Sequence, residues 1–249
     1  MANGVMPKLE YPNPPQYDKY PQYREYLRKA TNYSCAYCTI SESESPGATF
    51  NIDHFRPKKE FPNLESLCEN LRYSCPRCNS YKRNKWIRIE AGCNRKCNTC
   101  TTHVCEDNIP RFIDPLNESP SEHLFLNDDD TLCAYTSSKP ANYTISYLRL
   151  NRTQLIKLRH TRRFMDSWYE DLSKKRKSAS KRLSELEAQK QEFLVQESHD
   201  ASSPSLYVDM LKTMYEMVTT IAEQSVLMID EELHKLSILM EKRSGSDEE

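Results

Sequence analysis

The chain has 249 residues, of which 29% are charged and 37% hydrophobic, and its net charge is −1. No apolar run approaches the roughly 20 residues that cross a bilayer, and the first residues lack a basic region followed by an apolar one, so we expect a cytoplasmic protein. The chain has only four glycines, which argues against loops that cradle phosphates, and neither of the glycine-rich motifs GxGxxG and GxxxxGK(S/T) occurs.

Residues 1–30 predict an N-terminal arm. Proline and tyrosine are frequent up to residue 22, which favours an extended backbone. Residues 23–32 then predict a short helix that leads into the next segment. The arm is one surface on which we expect a partner to dock.

Two Cys-x-x-Cys pairs lie in the next segment, residues 31–110. The first pair is Cys35 and Cys38, and the second is Cys75 and Cys78. Each turn presents two thiolates to one ion, and two turns complete the tetrahedral four-thiolate site typical of structural zinc. Zinc binding of about 10–16 kcal/mol would offset the entropy of closing the loop between the pairs.

The residues around the second pair predict two short strands and a helix. In FNIDHF, apolar and polar residues alternate as they do in a strand. The segment ENLRYSC indicates a second strand or a turn, and NSYKRNKWIRIE indicates a helix that begins at Asn79. Asp53 and His54 are neighbours on the first strand, so their side chains would point to opposite faces. We therefore expect a bend or bulge there if both residues serve one site.

A cysteine-rich insertion follows at residues 92–105. Four of its cysteines are spaced closely enough for a second zinc site: Cys93, Cys97, Cys100 and Cys105. His103 in place of Cys105 is the alternative fourth ligand, and a reduced, metal-free loop is the other interpretation. Cys68 and Cys133 stand alone and are predicted to be buried thiols.

Residues 111–249 predict a mostly helical region that binds a partner. Short strands and turns are expected around residues 112–130, and helix from Ser146 onward. A polar break at ESHDASSPS separates two long amphipathic helices that would pack as a hairpin. The last helix carries one predicted apolar face: Leu211, Met214, Tyr215, Val218, Ile221, Ile229, Leu233, Leu236 and Met240.

Charge is unevenly distributed along this region. Residues 149–182 hold 12 Lys or Arg against 3 acidic residues, whereas residues 183–249 hold 5 against 15. This asymmetry indicates a surface that faces a polyanion beside a separate acidic surface. The alternative is that both segments are the solvated faces of long helices.

The order CxxC, Asp-His, CxxCN resembles the HNH, or ββα-metal, nuclease motif, in its zinc-bearing, endonuclease VII-like branch. The longer string DHFRPK…NL…SCPRCNxxK resembles the HNH subunit of Septu antiphage systems, which also accompanies some retrons. The nuclease resemblance covers about residues 30–90, and a looser Septu-like one continues to about residue 165. It implies an α+β, predominantly helical fold, in which a zinc-stabilised ββα core joins an N-terminal arm to a C-terminal pair of long helices.

The resemblance also implies roles for individual residues. His54 matches the general base, while Asp53 and Asn79 match the ligands of a catalytic Mg²⁺ or Mn²⁺. Asn70, the middle letter of the motif, would hydrogen-bond backbone and hold the His54 strand. Cations around the site would bind substrate phosphates, and three are selected: Arg56, Lys58 and Lys82.

These features predict a metal-dependent endonuclease that cuts DNA, or RNA including tRNA, in an antiphage complex with an ABC-type ATPase encoded nearby. The alternative is a zinc-ribbon adaptor that binds nucleic acid or protein without cutting. An adaptor has no need of Asp53, His54 and Asn79 together, which favours the enzyme.

Overall fold

The computed structural model describes residues 5–86, 109–199 and 205–244. Helices predominate and two small sheets accompany them, so the predicted α+β class is confirmed. Nowhere in these ranges is a helix both long enough and apolar enough to cross a membrane.

The chain divides into two compact units, Met1–Arg163 with Glu241–Glu249, and Phe164–Met240. The described strands are β1 Asn51–His54, β2 Leu71–Ser74, β3 Leu124–Leu126 and β4 Leu132–Ala134. The described α-helices are α1 Arg24–Ala30, α2 Pro76–Lys82, α3 Lys139–Tyr147, α4 Thr153–His199 and α5 Ser205–Ser244.

The two strands β1 and β2 form a regular antiparallel ladder that runs from Asn51 opposite Ser74 to His54 opposite Leu71. The pairing continues beyond the ladder, because the Phe55 N–H donates to the Asn70 carbonyl at 2.8 Å. The strand contains no bulge at Asp53 and His54, but the backbone bends directly after it, at Phe55 and Arg56, so the expected bend is supplied by the residues that follow His54. Asp53 points inward from the strand, whereas the terminal His54 is half-buried.

Helix α2 follows β2 directly and begins three residues earlier than the sequence suggested. Cys75 caps it by accepting a hydrogen bond from the Cys78 N–H at 3.5 Å, and Pro76 occupies the first turn, where no N–H is needed. Asn79 is the fourth residue of the helix and does not open it, so that prediction was wrong. The helix ends at Lys82, since the next residue, Arg83, has a positive φ of 49°.

The N-terminal arm packs against the rest of the first unit. Met6, Leu9 and Tyr23 are buried. The Tyr11 hydroxyl donates to the Leu71 carbonyl of β2 at 2.8 Å, which holds the arm against the ββα element. These contacts anchor the arm, whereas ten of residues 5–22 stay exposed, so the arm as a docking surface stays a prediction.

The residues after the insertion also belong to the first unit. Arg72 of β2 is fully buried and forms an ion pair with Asp114, and the Ile113 N–H donates to Thr144 Oγ1 of α3 at 2.9 Å. The compact unit therefore extends to residue 163, whereas the sequence pattern predicted a boundary at residue 110.

Helix from Ser146 onward was predicted, but the structure has a break. Helix α3 ends at Tyr147 and α4 begins at Thr153, with Arg149 at a positive φ of 49° between them. Leu148 and Leu150 in this break are fully buried and anchor it in the core.

The second unit is an antiparallel pair formed by α4 and α5. Arg176 pairs with Asp230 at 2.8 Å, and the rings of Phe193 and Tyr215 lie 5.5 Å apart. Both long helices occur where the sequence predicted them, and the predicted break at ESHDASSPS lies largely outside the described residues.

The predicted apolar face of α5 is mostly buried or half-buried. Leu236 is buried, and five others are half-buried: Leu211, Tyr215, Ile229, Leu233 and Met240. Met214 and Ile221 instead belong to a set of apolar side chains, each between 52% and 68% exposed, that recur at intervals of three, four or seven residues along the helix. We call it the α5 outer stripe: Tyr207, Met210, Met214, Met217, Ile221 and Met228.

Candidate nuclease site

The four cysteines of the two Cys-x-x-Cys turns form one buried cluster. Their sulfur atoms all lie within 4.8 Å of one another, and Cys38 Sγ is 3.7 Å from Cys75 Sγ. Zinc–sulfur bonds of about 2.3 Å in a tetrahedron place sulfurs about 3.8 Å apart, so Cys35, Cys38, Cys75 and Cys78 fit a structural zinc ion. Arg152 donates to Cys38 Sγ at 3.5 Å, which offsets part of the thiolate charge.

The other predicted cysteine sites have different outcomes. Cys93, Cys97, Cys100 and Cys105, with His103, lie outside the described residues, so the second zinc site stays a prediction. Cys68 is buried as expected, and burial raises its pKa to about 12, which keeps it a thiol at neutral pH. Cys133 is only half-buried.

His54 is held in one orientation at the end of β1. Its Nε2 lies 2.9 Å from the Glu65 carbonyl. A carbonyl only accepts, so Nε2 carries the proton and Nδ1 is left as the acceptor nitrogen. Burial lowers the pKa of His54, which favours the neutral ring, and the Tyr20 ring packs edge-on at 4.7 Å. Among the described residues, none hydrogen-bonds Nδ1.

Asp53 lies buried behind His54 and is bound by two side chains from different elements. The Tyr37 hydroxyl donates to Asp53 Oδ2 at 2.5 Å, and Lys82 Nζ lies 2.9 Å from the same oxygen. Lys82 Nζ also donates to the His54 carbonyl at 2.8 Å. Both partners adjoin the cysteine cluster in sequence, since Tyr37 lies within the first turn and Lys82 ends the helix that starts at the second.

Asn70 makes three hydrogen bonds to backbone and is buried. Its Oδ1 accepts from the Arg56 N–H at 2.9 Å, while Nδ2 donates to the carbonyls of Arg56 at 3.0 Å and Leu64 at 3.1 Å. These bonds close the loop between β1 and β2 at its neck. They also fix the segment that ends in Glu65, whose carbonyl orients His54.

An open pocket of about 320 Å³ lies over these groups. Asp53, His54 and Asn79 all line it, so the three chemistry-bearing residues predicted from sequence meet at one cavity. The remaining lining residues include two exposed cations: Ile52, Pro57, Lys58, Ser80, Arg83 and Asn84.

The predicted phosphate-binding cations divide between the surface and the interior. Lys58 is 43% exposed and pairs with Glu65 at 2.9 Å. Lys82 is fully buried on Asp53, and Arg56 is 3% exposed with its guanidinium 5.4 Å from the Trp86 ring. Neither buried cation is placed to contact a phosphodiester backbone, which corrects the prediction for both. Arg83 at the pocket rim is a better candidate.

The pocket also contains groups that suit a divalent ion. Asp53 and Asn79 supply a carboxylate and an amide, the hard oxygen ligands that Mg²⁺ and Mn²⁺ prefer. Asp53 Oδ1 retains bonding capacity, because its one contact within the described ranges is with Lys82 Nζ at 3.3 Å. The donor set therefore fits an ion at Oδ1, although Lys82 already neutralises the carboxylate.

Comparison with known proteins agrees with this geometry. Residues 35–85 match the family model for HNH endonuclease. The chain is 29% identical over 144 residues to Septu protein PtuB of Bacillus mycoides (strain KBAB4), a match that covers 52% of this chain and 46% of that protein. It is 32% identical over 78 residues to Septu protein PtuB of Bacillus thuringiensis, which covers 31% of this chain and 30% of that protein.

These alignments span less than half the length of each of the two curated relatives. No solved structure matches the chain. The four-cysteine cluster, the two paired strands and α2 all fall within residues 35–85, the segment that the family model covers. Residues 35–85 thus form an HNH endonuclease domain, in a chain similar to Septu protein PtuB over about half its length.

Proposed function

We propose that this chain is a metal-dependent HNH endonuclease that hydrolyses phosphodiester bonds of DNA or RNA within an antiphage defence complex. The observation that carries the proposal is the orientation of His54. Its Nε2 is fixed on the Glu65 carbonyl, and its Nδ1 is the acceptor nitrogen on a residue that lines the pocket. This is the arrangement a general base needs, since the ring must be neutral and aimed.

Hydrolysis needs a water to lose a proton as it attacks phosphorus. His54 Nδ1 takes that proton, and the resulting imidazolium is stabilised by the Glu65 carbonyl on its other nitrogen. Asn70 contributes indirectly, because its three backbone bonds hold the loop that presents this carbonyl.

The substrate backbone would lie across the pocket rim. Arg83 and Lys58 are exposed there and supply positive charge for phosphates. Asp53 and Asn79 would hold the divalent ion. Such an ion, when bound, neutralises charge on the phosphoryl oxygens and stabilises the leaving oxygen.

The defence role and the partner are inferred from the relatives. Both carry the name Septu protein PtuB, and the resemblance to the Septu HNH subunit implies an ABC-type ATPase that controls cutting. The α5 outer stripe supports a partner surface, since exposed apolar residues at helical spacing are typical of helices that dock into a partner groove.

The test incubates purified chain, with and without the ATPase encoded beside it, with plasmid, single-stranded DNA and tRNA in Mg²⁺ or Mn²⁺. His54→Ala should reduce the cleavage rate by about 10²–10⁴. His234→Ala is the matched control, because His234 is exposed on α5 in the second unit, and it should cut like the wild type.

Cleavage by His54→Ala within about threefold of wild type, in protein that retains its zinc, would eliminate His54 as the base. Binding of nucleic acid with no cutting under any of these conditions would instead favour the adaptor.

A further inference from the structure

Lys82 is fully buried beneath the candidate site, and its ammonium is held by two groups of β1. Nζ lies 2.9 Å from Asp53 Oδ2 and 3.3 Å from Oδ1, and it donates to the His54 carbonyl at 2.8 Å. The rings of Phe55 and Phe112 flank it at 5.7 and 5.9 Å. A buried ammonium is costly unless it is paired, so this position depends on Asp53.

Asp53 already has a fully buried cation as its partner. Arg72, the other fully buried cation of this region, pairs with Asp114 rather than with Asp53. Asp53 and Lys82 therefore neutralise each other. A divalent ion on Asp53 would add two positive charges to this neutral pair, and it would share the carboxylate with the ammonium, which like-charge repulsion disfavours.

We propose that Lys82 is a built-in competitor of the divalent ion for Asp53. The ammonium neutralises the carboxylate when no ion is bound, and it weakens the ion when one binds. This inference rests on the proposed function, in which Asp53 is a ligand of the catalytic ion. The competition gives the buried Lys82, one of the predicted phosphate-binding residues, a role at the site. Because Lys82 weakens ion binding, the enzyme would need a high concentration of the ion.

The test measures Mn²⁺ affinity directly, from the paramagnetic resonance signal of free Mn²⁺, with zinc-loaded protein and no nucleic acid. Lys82→Met removes the charge and keeps the length of the side chain, and its Kd for Mn²⁺ should be at least about tenfold lower than that of wild type. Lys85→Met is the matched control. It makes the same substitution at an exposed lysine that does not line the pocket, and its Kd should stay within about threefold.

Zinc content and melting temperature establish that each variant is folded. Lys82→Gln provides a second neutral side chain, which can still donate to the His54 carbonyl, and it should tighten Mn²⁺ binding in the same direction. Unchanged or weaker binding in both Lys82 variants overturns the competition.

Asp53→Asn separates this inference from the proposed function. If Asp53→Asn weakens Mn²⁺ binding while neither Lys82 variant tightens it, only the competition is overturned. If Asp53→Asn leaves Mn²⁺ binding unchanged, the ion is not on Asp53, and the ligand assignment falls together with the competition.

Discussion

The Tyr37 hydroxyl, inside the first Cys-x-x-Cys turn, donates a hydrogen bond of 2.5 Å to Asp53 Oδ2 on β1. The first cysteine turn of the candidate zinc site is therefore in direct contact with the strand that carries Asp53 and His54. Lys82 makes a second link, because it ends the helix that starts at the other Cys-x-x-Cys turn. Loss of order in either turn would release one of the two side chains that hold the Asp53 carboxylate.

Zinc content is the first prediction. Dialysed protein should retain at least one zinc ion per chain, and two if the cluster at residues 93–105 also binds, because thiolate sites are closed and tight. Cys78→Ser should lower the count by one equivalent in elemental analysis, whereas Cys133→Ser, outside both clusters, should not. A wild-type count near zero contradicts both sites, and a count of one contradicts the second.

The second prediction concerns Asn70. Asn70→Asp keeps the acceptor for the Arg56 N–H but loses both donated bonds and turns a carboxylate toward two carbonyls. We expect a loss of about 2–4 kcal/mol in the free energy of unfolding, since buried groups lose their partners. Denaturant unfolding measures it, with Asn142→Asp, which loses one donated bond in α3, as the control. Equal stability of the two variants would show that the neck of the loop does not depend on Asn70.

The third prediction distinguishes the rim cations from their neighbours. Arg83→Ala and Lys58→Ala should each weaken binding to nucleic acid and reduce the slope of log affinity against log salt by about one. Lys59→Ala removes an exposed cation that does not line the pocket. Fluorescence anisotropy over a salt series, in the His54→Ala background to prevent cutting, gives the slopes. Equal slopes for all three variants would contradict a phosphate track at the pocket rim.

The fourth prediction concerns the partner surface. If the proposed ATPase partner docks on the α5 outer stripe, Met217→Glu, which places a charge in its middle, should reduce co-purification with that ATPase by at least about tenfold, because burying an unpaired charge is costly. Val195→Glu alters an equally exposed apolar side chain on α4 and should co-purify normally. Full co-purification of Met217→Glu would place the partner surface elsewhere in the chain.

The sequence predicted the features that depend on local spacing. The two Cys-x-x-Cys turns, the adjacent Asp53 and His54, and the two long helices all follow from local patterns. Burial is different, because it depends on which distant segments meet. Lys82 looks like a surface cation in the string CNSYK, yet Phe112, from beyond the insertion, helps to enclose it.

Two partners of the site were missed for distinct reasons. Tyr37 gave a weak signal, since an aromatic residue between two zinc ligands is easily read as packing. The Glu65 carbonyl gave none, because every residue has a carbonyl and only the folded loop decides which one meets His54. Of the expected bend or bulge, the bulge is absent because the ladder is regular, and the bend lies at Phe55 and Arg56, just after His54 at the end of the strand.

The composition of the α5 outer stripe also affects how the protein can be handled. Four of its six residues are methionines, and each of these is more than half exposed. Thioethers in such positions are open to peroxide, which converts them to polar sulfoxides and makes an apolar surface hydrophilic. Ageing in air would therefore erode this surface while the cysteine cluster, buried in the first unit, is shielded. Methionine sulfoxide reductase would restore it.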